Sequence, residues 1–401
     1  MRKGWERKKL GEICEAVSTG PFGSMLHKAD YVDDGIPLVN PINLIDERIV
    51  INRAMLISEA TKDRLSRYVL KVGDIVVARR GEIGRCAVVG SDEEGWLCGT
   101  GSFFIRPLPR TDSQFLAHLL RSPEYREKLE AASTGTTMQN LSNTTLSELL
   151  VLFPPFAEQE RIVGLLDEAF AGLATAKANA EKNLQNARAL FESHLQSVFT
   201  QRGKGWVDSS IGAEIRFIDY RGKTPVKTAS GVRLITAKNV KMGYLQATPM
   251  EFIAAASYKG WMTRGIPQKG DVLFTTEAPL ANVAQLDTDE KVAFAQRIII
   301  MQPDAARLDS AFLKYLLLSQ PVQQRIRTKG TGATVQGIKA SLLKTIEISF
   351  PKSLAEQEQF VEKLDGLSEE TQRLAGLYER KLAALEALKK SLLHQAFTGE
   401  L

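Results

Sequence analysis

Cysteine and histidine are both scarce in this chain of 401 residues. An odd, scattered set of cysteines without a Cys-x-x-Cys pair disfavours a disulfide framework and predicts free thiols in a cytoplasmic protein. The histidines lie too far apart in the sequence for metal-ligand spacing. We therefore expect neither a metal site nor a catalytic cysteine. These residues are Cys14, Cys86, Cys98, His27, His118, His194 and His394.

Several other signatures are missing as well. No apolar run approaches the roughly 18–20 residues of a membrane span, and the charged start of the chain is unlike a signal peptide. The glycine-rich phosphate loop of ATP motors is absent. Phe153-Pro154-Pro155-Phe156 resembles the Asn/Asp-Pro-Pro-Phe/Tyr loop of DNA amino-methyltransferases. Phenylalanine cannot accept a hydrogen bond from a target amino group, however, so we interpret the motif as a strand ending at a proline helix start.

The sequence does contain a long internal repeat. Ala157-Glu158-Gln159-Glu160 recurs as Ala355-Glu356-Gln357-Glu358, and the two stretches align without a gap at an offset of 198 residues. Each stretch follows proline and is typical of a helix of about 42 residues, roughly 60 Å long. A repeat of this length predicts two structurally equivalent units.

Apolar residues in both helices recur every three or four positions. A period close to 3.5 indicates a left-handed coiled coil. Alanines are frequent in the first seam and large residues in the second, so we expect the two helices to pack against each other. Asn183 and Lys381 are predicted to occupy matching seam positions and to fix the register. The predicted seam includes Ile162, Leu166, Leu173, Leu190, Phe360, Leu364, Leu374, Leu385 and Leu388.

The repeat also includes the sequence before each helix. Gly73-Asp74 matches Gly270-Asp271, and an apolar strand follows each turn. A buried strand, a helix and a final strand closed by proline follow in the same order, so each globular segment is predicted to be α/β. The segments are a first globule at 1–152, a central helix at 153–203, a second globule at 204–350 and a C-terminal helix at 351–401.

This order predicts how the chain closes on itself. The end of the first helix leads directly into Lys204-Gly205-Trp206, which matches Lys3-Gly4-Trp5. By symmetry the second helix should end beside Trp5, so the chain ends should be close. We predict an α+β fold in which two long antiparallel coiled-coil helices separate two α/β domains in a pseudo-two-fold, circular arrangement.

The net charge of +5 is concentrated in one segment. Residues 204–350 carry 20 basic and 12 acidic side chains, whereas residues 1–152 carry 20 of each. A polyanionic partner fits such a segment, and a solvated lysine-rich surface is the alternative. Arginine can bind guanine and Asn or Gln can bind adenine, while lysine mostly binds phosphate. The candidate contacts are Arg79, Arg80, Arg85, Arg221, Lys223, Lys227, Lys238, Asn239, Lys241, Gln296 and Arg297.

One further loop pattern occurs once in each half. Gly135-Thr136-Thr137-Met138-Gln139 matches residues 332–336. Its recurrence favours a shared structural or backbone-binding role, because base readout should differ between the halves.

The duplicated order of globule, helix, globule and helix, with these strands, loops and helix starts, resembles the DNA specificity subunit of type I restriction–modification systems. The resemblance extends over essentially the whole chain. It implies that the globules are target recognition domains, that the helices are spacers, and that the chain itself is not an enzyme. The implied function is to recognise an asymmetric, bipartite DNA sequence.

The resemblance also implies partners and cofactors. The partners are double-stranded DNA, two methyltransferase subunits with adenine-N6 activity, and restriction subunits with endonuclease activity; no membrane is involved. This chain would bind no cofactor itself, with S-adenosylmethionine in the modification subunit and ATP and Mg in the restriction subunit. Two alternatives stay open: a coiled-coil scaffold that does not contact DNA, and a fused restriction–modification enzyme, which the missing catalytic motifs disfavour.

Overall fold

The computed structural model describes residues 4–21, 25–51, 55–133, 141–220, 224–332 and 336–401. Two compact units account for the chain. The first consists of residues 1–181 and 380–401, and the second of residues 182–379. Each unit therefore contains one globular region and one segment from each of two long helices. The predicted segments divide the chain by its local structure, whereas the compact units are defined by packing. The predicted boundaries therefore stay a prediction.

The first globular region has twelve described strands and four described α-helices. The strands are β1 (Glu6–Lys9), β2 (Cys14–Thr19), β3 (Tyr31–Val32), β4 (Ile36–Val39), β5 (Leu44–Ile45), β6 (Arg48–Ile49), β7 (Leu56–Ile57), β8 (Ile75–Ala78), β9 (Cys86–Val88), β10 (Leu97–Cys98), β11 (Ser102–Pro107) and β12 (Leu150–Phe153). The helices are α1 (Glu59–Arg64), α2 (Ser113–Arg121), α3 (Pro123–Ala131) and α4 (Asn143–Ser147), and the long helix α5 (Phe156–Thr200) follows.

The second globular region has ten described strands, followed by the second long helix. The strands are β13 (Trp206–Ser210), β14 (Ile215–Asp219), β15 (Lys227–Thr228), β16 (Val232–Ile235), β17 (Glu251–Ile253), β18 (Val272–Thr275), β19 (Val283–Gln285), β20 (Val292–Phe294), β21 (Ile298–Pro303) and β22 (Glu347–Pro351). The helices are α6 (Ile211–Glu214), α7 (Tyr258–Trp261), α8 (Ser310–Leu318), α9 (Gln320–Lys329), α10 (Ala340–Lys344) and α11 (Leu354–Thr398).

Three of the described sheets have a counterpart in both units. An antiparallel sheet has the order β2-β11-β8-β9 in the first and β14-β21-β18-β19 in the second. A mixed sheet has the order β10-β4-β7-β3 in the first and β20-β16-β17-β15 in the second. The first strand of each region pairs with the last, as β1 with β12 and β13 with β22. The predicted α/β segments, their buried strands and their duplication are thus confirmed.

The central strands are apolar on both faces because each is covered on both sides. All four residues of β8 and all four of β18 are buried. One side of the antiparallel sheet packs against α2 or α8 and the long-helix segments, and the other side packs against the mixed sheet. Burial on both faces explains the continuous runs of Val, Ile and Phe that predicted these strands.

Each long helix begins at a buried joint within its own unit, and the joint recurs in both units. Gln159 is fully buried, and its Oε1 accepts a hydrogen bond of 2.8 Å from the backbone N–H of Asp112. Its Nε2 donates to the carbonyls of Arg110 at 3.2 Å and Pro154 at 2.9 Å. These bonds connect the first turn of α5 to the residue that caps α2.

The second unit repeats this joint with Gln357. Its Oε1 accepts from the Asp309 N–H at 2.8 Å, and its Nε2 donates to the carbonyls of Arg307 at 2.9 Å and Pro351 at 2.7 Å. The recurrence of Gln in the Ala-Glu-Gln-Glu motif therefore has a structural cause. A buried amide satisfies three backbone groups that would otherwise lack partners.

The long-helix segments are antiparallel within each unit. In the first, Arg161 Nη2 donates to the Leu401 carbonyl at 3.0 Å, and Lys177 Nζ lies 3.0 Å from Glu386 Oε1. In the second, Arg188 pairs with Glu379 at 2.8 Å. Residue numbers thus increase along one helix segment as they decrease along its neighbour.

The structure corrects the predicted seam at several positions. Ile162, Leu166 and Leu364 are buried, and Leu173, Phe360, Leu374 and Leu385 are half-buried. Leu190 and Leu388 were predicted for the seam, but their side chains are 52% and 48% exposed. Asn183 and Lys381 are exposed, and the neighbouring Leu184 and Leu382 are half-buried instead. The cause is the spacing, because steps of four from Ala187 to Phe191, Leu195 and Phe199 follow the 3.6-residue helix rather than a strict 3.5 repeat.

Described residues near both chain ends belong to the core of the first unit or pack against it. Trp5 is buried in it, and Leu401 packs against it. The ring of Phe397 lies 5.4 Å from that of Phe115. Phe199 makes the matching contact with Phe312, also at 5.4 Å, in the second unit. Residues near the two chain ends, Trp5 and Leu401, thus share one hydrophobic core, as expected from the repeat.

Candidate nucleic-acid interface

A loop with one backbone frame occurs in both units, at residues 78–85 and 275–282. We call these the central loops. Ala78 N–H donates to the Arg85 carbonyl at 2.7 Å, and Thr275 N–H donates to the Asn282 carbonyl at 3.0 Å. The next residue of each loop donates to the turn before the buried strand: Arg79 to Gly101 at 3.0 Å and Thr276 to Arg297 at 2.9 Å.

The central loops also share two left-handed positions. Gly81 and Gly84 have φ of 72° and 80° in the first loop. Ala278 and Ala281, at the matching positions of the second, have φ of 48° and 66°. The backbone is thus retained where the side chains differ. The exposed or half-exposed side chains differ: they include Arg80 and Glu82 in the first loop, and Glu277 and Pro279 in the second.

Of the three candidate arginines in the first unit, Arg79 and Arg85 hold the loop in place. Arg79 Nε donates to the Leu141 carbonyl at 3.1 Å, and its guanidinium lies 5.8 Å from the Phe103 ring centroid. Burial, and then the neighbouring Arg80, lower the pKa of Arg79. Arg85 Nη2 donates to the Pro41 carbonyl at 2.6 Å.

Arg80 has a different environment. Its side chain is exposed, and within the described residues it takes part in no ion pair. A charged, exposed side chain on a rigid loop is suited to contact an external anion. Among the three candidates of the first unit, Arg80 is the residue best placed for such a contact.

Several candidates of the second unit lie on its mixed sheet and the adjoining loops. Lys227, on β15, lies 2.8 Å from the carboxylate of Glu251. Lys238 is exposed and Lys241 is half-buried. Arg221 and Lys223 lie outside the described residues, as do 134–140 and 333–335 of the two recurring loops.

Asn239 is buried, and its side-chain amide is hydrogen-bonded within the protein. Its Oδ1 accepts from the backbone N–H of Thr236 at 3.0 Å, and its Nδ2 donates to the Gln246 and Pro249 carbonyls at 3.1 and 3.0 Å. All its hydrogen-bonding capacity is directed into its own loop, so we leave it out of the proposed interface. The physical reason is that its side chain cross-links the backbone of its own loop, an arrangement that we call the loop brace.

The first unit contains the same brace. Asn43 Oδ1 accepts from the Asn40 N–H at 2.9 Å, and Nδ2 donates to the Val50 carbonyl at 2.9 Å. A comparison of Asn40-x-x-Asn43 with Thr236-x-x-Asn239 would have shown this recurrence from the sequence. Residues that recur with the same role in both units are expected to be structural.

Gln296 and Arg297 lie at the turn before β21, beside the central loop of the second unit. Gln296 is half-buried. Arg297 Nε lies 2.9 Å from Glu277 Oε1, and both side chains are nearly half exposed. Sequence reasoning identified Arg297 but missed Glu277. The pairing depends on a contact between residues 20 positions apart, which residue type alone does not reveal.

The described residues include all three cysteines and all four histidines. Within them, no three His, Cys, Asp or Glu side chains lie close enough to hold a metal ion. The three cysteines are buried, and burial raises the pKa of Cys14 to about 12. Burial, and then Arg121, lower the pKa of His118, whose Nε2 lies 3.1 Å from Asp167. None of the described helices is both long and apolar enough to cross a membrane.

Comparison with protein families gives a match over most of the chain. The model described as type I restriction modification DNA specificity domain matches residues 2–184 and 210–379. The two matched ranges correspond to the two halves of the internal repeat.

Individual relatives agree with this match. A putative type I restriction enzyme MjaX specificity subunit from Methanocaldococcus jannaschii is 22% identical over 421 residues, covering 99% of this chain and 93% of the relative. The EcoKI specificity subunit of Escherichia coli K12 is 24% identical, covering 92% of this chain and 83% of the relative.

Solved structures share the fold. A chain from a study of the assembly and conformational transition of a type I R-M system superposes with a TM-score of 0.81 at 22% identity, covering 100% of this chain and 99% of that chain. The HsdS subunit of Thermoanaerobacter tengcongensis gives a TM-score of 0.64 at 21% identity, covering 100% and 98%.

Proposed function

Because the chain belongs to the family of type I restriction–modification DNA specificity subunits, we propose that its two units recognise two different short halves of one asymmetric DNA target. The observation that carries this proposal is the pair of central loops. Their backbone hydrogen bonds match, whereas the side chains they present differ in charge and shape. A shared frame with different exposed chemistry is suited to the recognition of two different ligands by one kind of scaffold.

The charge distribution suggests how the two units divide the binding. Residues 204–350 carry eight more basic than acidic side chains, whereas residues 1–152 are balanced. Phosphate contacts by Lys and Arg supply most of the sequence-independent affinity for DNA. We expect Lys227, Lys238 and Lys241 to contribute phosphate contacts. The candidates for base contacts are Arg80 in the first unit, and Gln296 and Arg297 in the second.

The long helices give the proposed target its gap. A continuous helix of 45 residues is about 68 Å long. The buried joints at Gln159 and Gln357 fix the direction in which each helix leaves its globular region. We propose that α5 and α11 act as a spacer and so determine the number of unread base pairs between the half-sites.

The partners proposed are two methyltransferase subunits, with restriction subunits joining for cleavage. In this arrangement S-adenosylmethionine belongs to the modification subunits, and ATP and Mg belong to the restriction subunits. The chain described here would then contribute recognition without chemistry. This division agrees with the family to which the chain belongs.

A domain exchange tests the proposal. Residues 1–152 would be replaced with the first globular region of another family member, and the complex with its methyltransferase partner would be assayed by mapping the methylated sites. We expect one half-site to change while the other half-site and the gap are retained. A change of both half-sites, or of neither, would contradict the modular assignment.

A salt titration separates DNA recognition from a scaffold role. Specific binding through phosphate contacts gives an affinity that falls steeply with salt concentration. The complex should show this slope with target DNA. If neither the chain nor its complex binds DNA in a salt-dependent manner, the scaffold function is the better assignment.

A further inference from the structure

Arg297 has a backbone conformation that its residue type does not favour. Its φ of 79° lies in the left-handed region, which residues with a Cβ atom avoid. The residue at the matching position of the first unit is Gly101, and it does not adopt this conformation. The strain is therefore specific to the second unit, and the shared frame does not require it.

Hydrogen bonds hold this strained residue in place. The Thr276 N–H donates to the Arg297 carbonyl at 2.9 Å, and the Thr276 hydroxyl donates to the same oxygen at 3.4 Å. The Thr276 carbonyl in turn accepts from the Ile338 N–H at 2.9 Å. Thr276 is buried, so Arg297 lies on a rigid platform.

The ion pair made by the Arg297 side chain does not offset the backbone strain. Its ion pair with Glu277 is nearly half exposed on both sides, at 46% and 45%. An exposed ion pair stabilises a protein by less than a left-handed conformation of a non-glycine residue costs. A strained, clamped residue with an exposed charged side chain is characteristic of a functional position.

We propose that Arg297, oriented by Glu277, recognises the guanine of a G·C pair in the half-site bound by the second unit. Arginine can donate two parallel hydrogen bonds to O6 and N7 of guanine in the major groove. A carboxylate on Nε fixes the plane of the guanidinium, so less side-chain freedom is lost on binding. This inference rests on the proposed function, and it singles out one base-reading residue and its positioning partner.

The test uses the complex with methyltransferase subunits and a set of duplexes with single base-pair substitutions in the second half-site. Competition binding would be measured for Arg297→Lys, Arg297→Ala and Glu277→Gln. We expect the two arginine variants to lose about 5- to 150-fold of the preference for G·C at one position. Glu277→Gln should lose less at that same position. Lys291→Ala, an exposed cation of the same unit, is the matched control and should change no base preference.

Arg297→Gly separates recognition from folding. Glycine accepts the left-handed conformation, so this variant should unfold at the same or a higher temperature while losing the base preference. A lower unfolding temperature would assign Arg297 a structural role and overturn the inference. Unchanged discrimination, or an equal loss against every duplex, would do the same, since a uniform loss indicates a phosphate contact. If the unmodified complex does not prefer its target over a scrambled duplex, the proposed function itself fails.

Discussion

Replacing Gln357 with alanine tests the joint on which the second long helix begins. The side-chain amide of Gln357 is fully buried and bonds to Asp309 N–H and to the carbonyls of Arg307 and Pro351. Gln357→Ala removes all three hydrogen bonds and leaves a cavity of amide size. The backbone groups that remain cannot move to water without displacing α8 or α11.

The expected loss follows from the number of groups left without a partner. Each buried polar group that loses its hydrogen bond costs about 1–3 kcal/mol, and carbonyls tolerate the loss better than N–H groups. Entry of a water molecule into the cavity would offset part of this cost. We expect the free energy of unfolding to fall by about 2–4 kcal/mol. For a unit of this size that is roughly 4–16 °C in unfolding temperature.

Gln359→Ala is the matched control. Gln359 lies half a turn further along the same helix and is exposed. Both variants gain the same few tenths of a kcal/mol in helix propensity, so their difference isolates the joint. Urea unfolding would give the stability, and hydrogen exchange at the Asp309 amide would report the local opening. If the two variants differ by less than about 0.5 kcal/mol, the joint does not fix the helix.

Three further predictions concern packing, backbone strain and charge. Leu195→Ala should destabilise the protein by about 2–4 kcal/mol in urea unfolding, whereas the half-exposed Leu190→Ala should cost under about 1 kcal/mol; equal losses would contradict the seam described here. Ala278→Gly should raise the free energy of unfolding by about 1 kcal/mol, because glycine adopts φ of 48° without strain; calorimetry that shows no gain would refute this reasoning. Burial raises the pKa of Glu47, but Arg121 and Lys389 outweigh it and hold that pKa below its ordinary value. The stability that this carboxylate contributes is therefore fully present above its pKa in the unfolded chain. It is lost as the pH falls through the lowered pKa of the folded protein. Lys389→Gln should cost up to about 1 kcal/mol at pH 7 and little once the pH is below the lowered pKa of Glu47; a loss that persists after Glu47 is protonated would count against the ion pair.

The sequence predicted the architecture well because the fold is duplicated. Two aligned copies of one pattern distinguish residues that the frame requires from residues that happen to occur once. Gly-Asp turns, buried strands and the Ala-Glu-Gln-Glu helix starts were identified in this way. The register of the helix seam was lost toward residue 190, because a small error in the period accumulates along 45 residues.

The candidate contacts were harder to predict, because residue type indicates what a side chain can bind but not whether it is exposed. Asn239 has the chemistry to bind adenine, yet tertiary packing buries it in its own loop. Arg85 was a reasonable candidate until its bond to Pro41 was known. Glu277 was missed because its importance depends on a partner that the fold brings close.

The backbone hydrogen bonds of the central loops have a consequence for how such a chain diversifies. Because main-chain groups close each loop, many of its outward side chains can be exchanged at little expense to folding. A lineage can therefore acquire a new binding preference in one unit through a few surface replacements. The other unit, with its own copy of the frame, is free to keep its earlier preference.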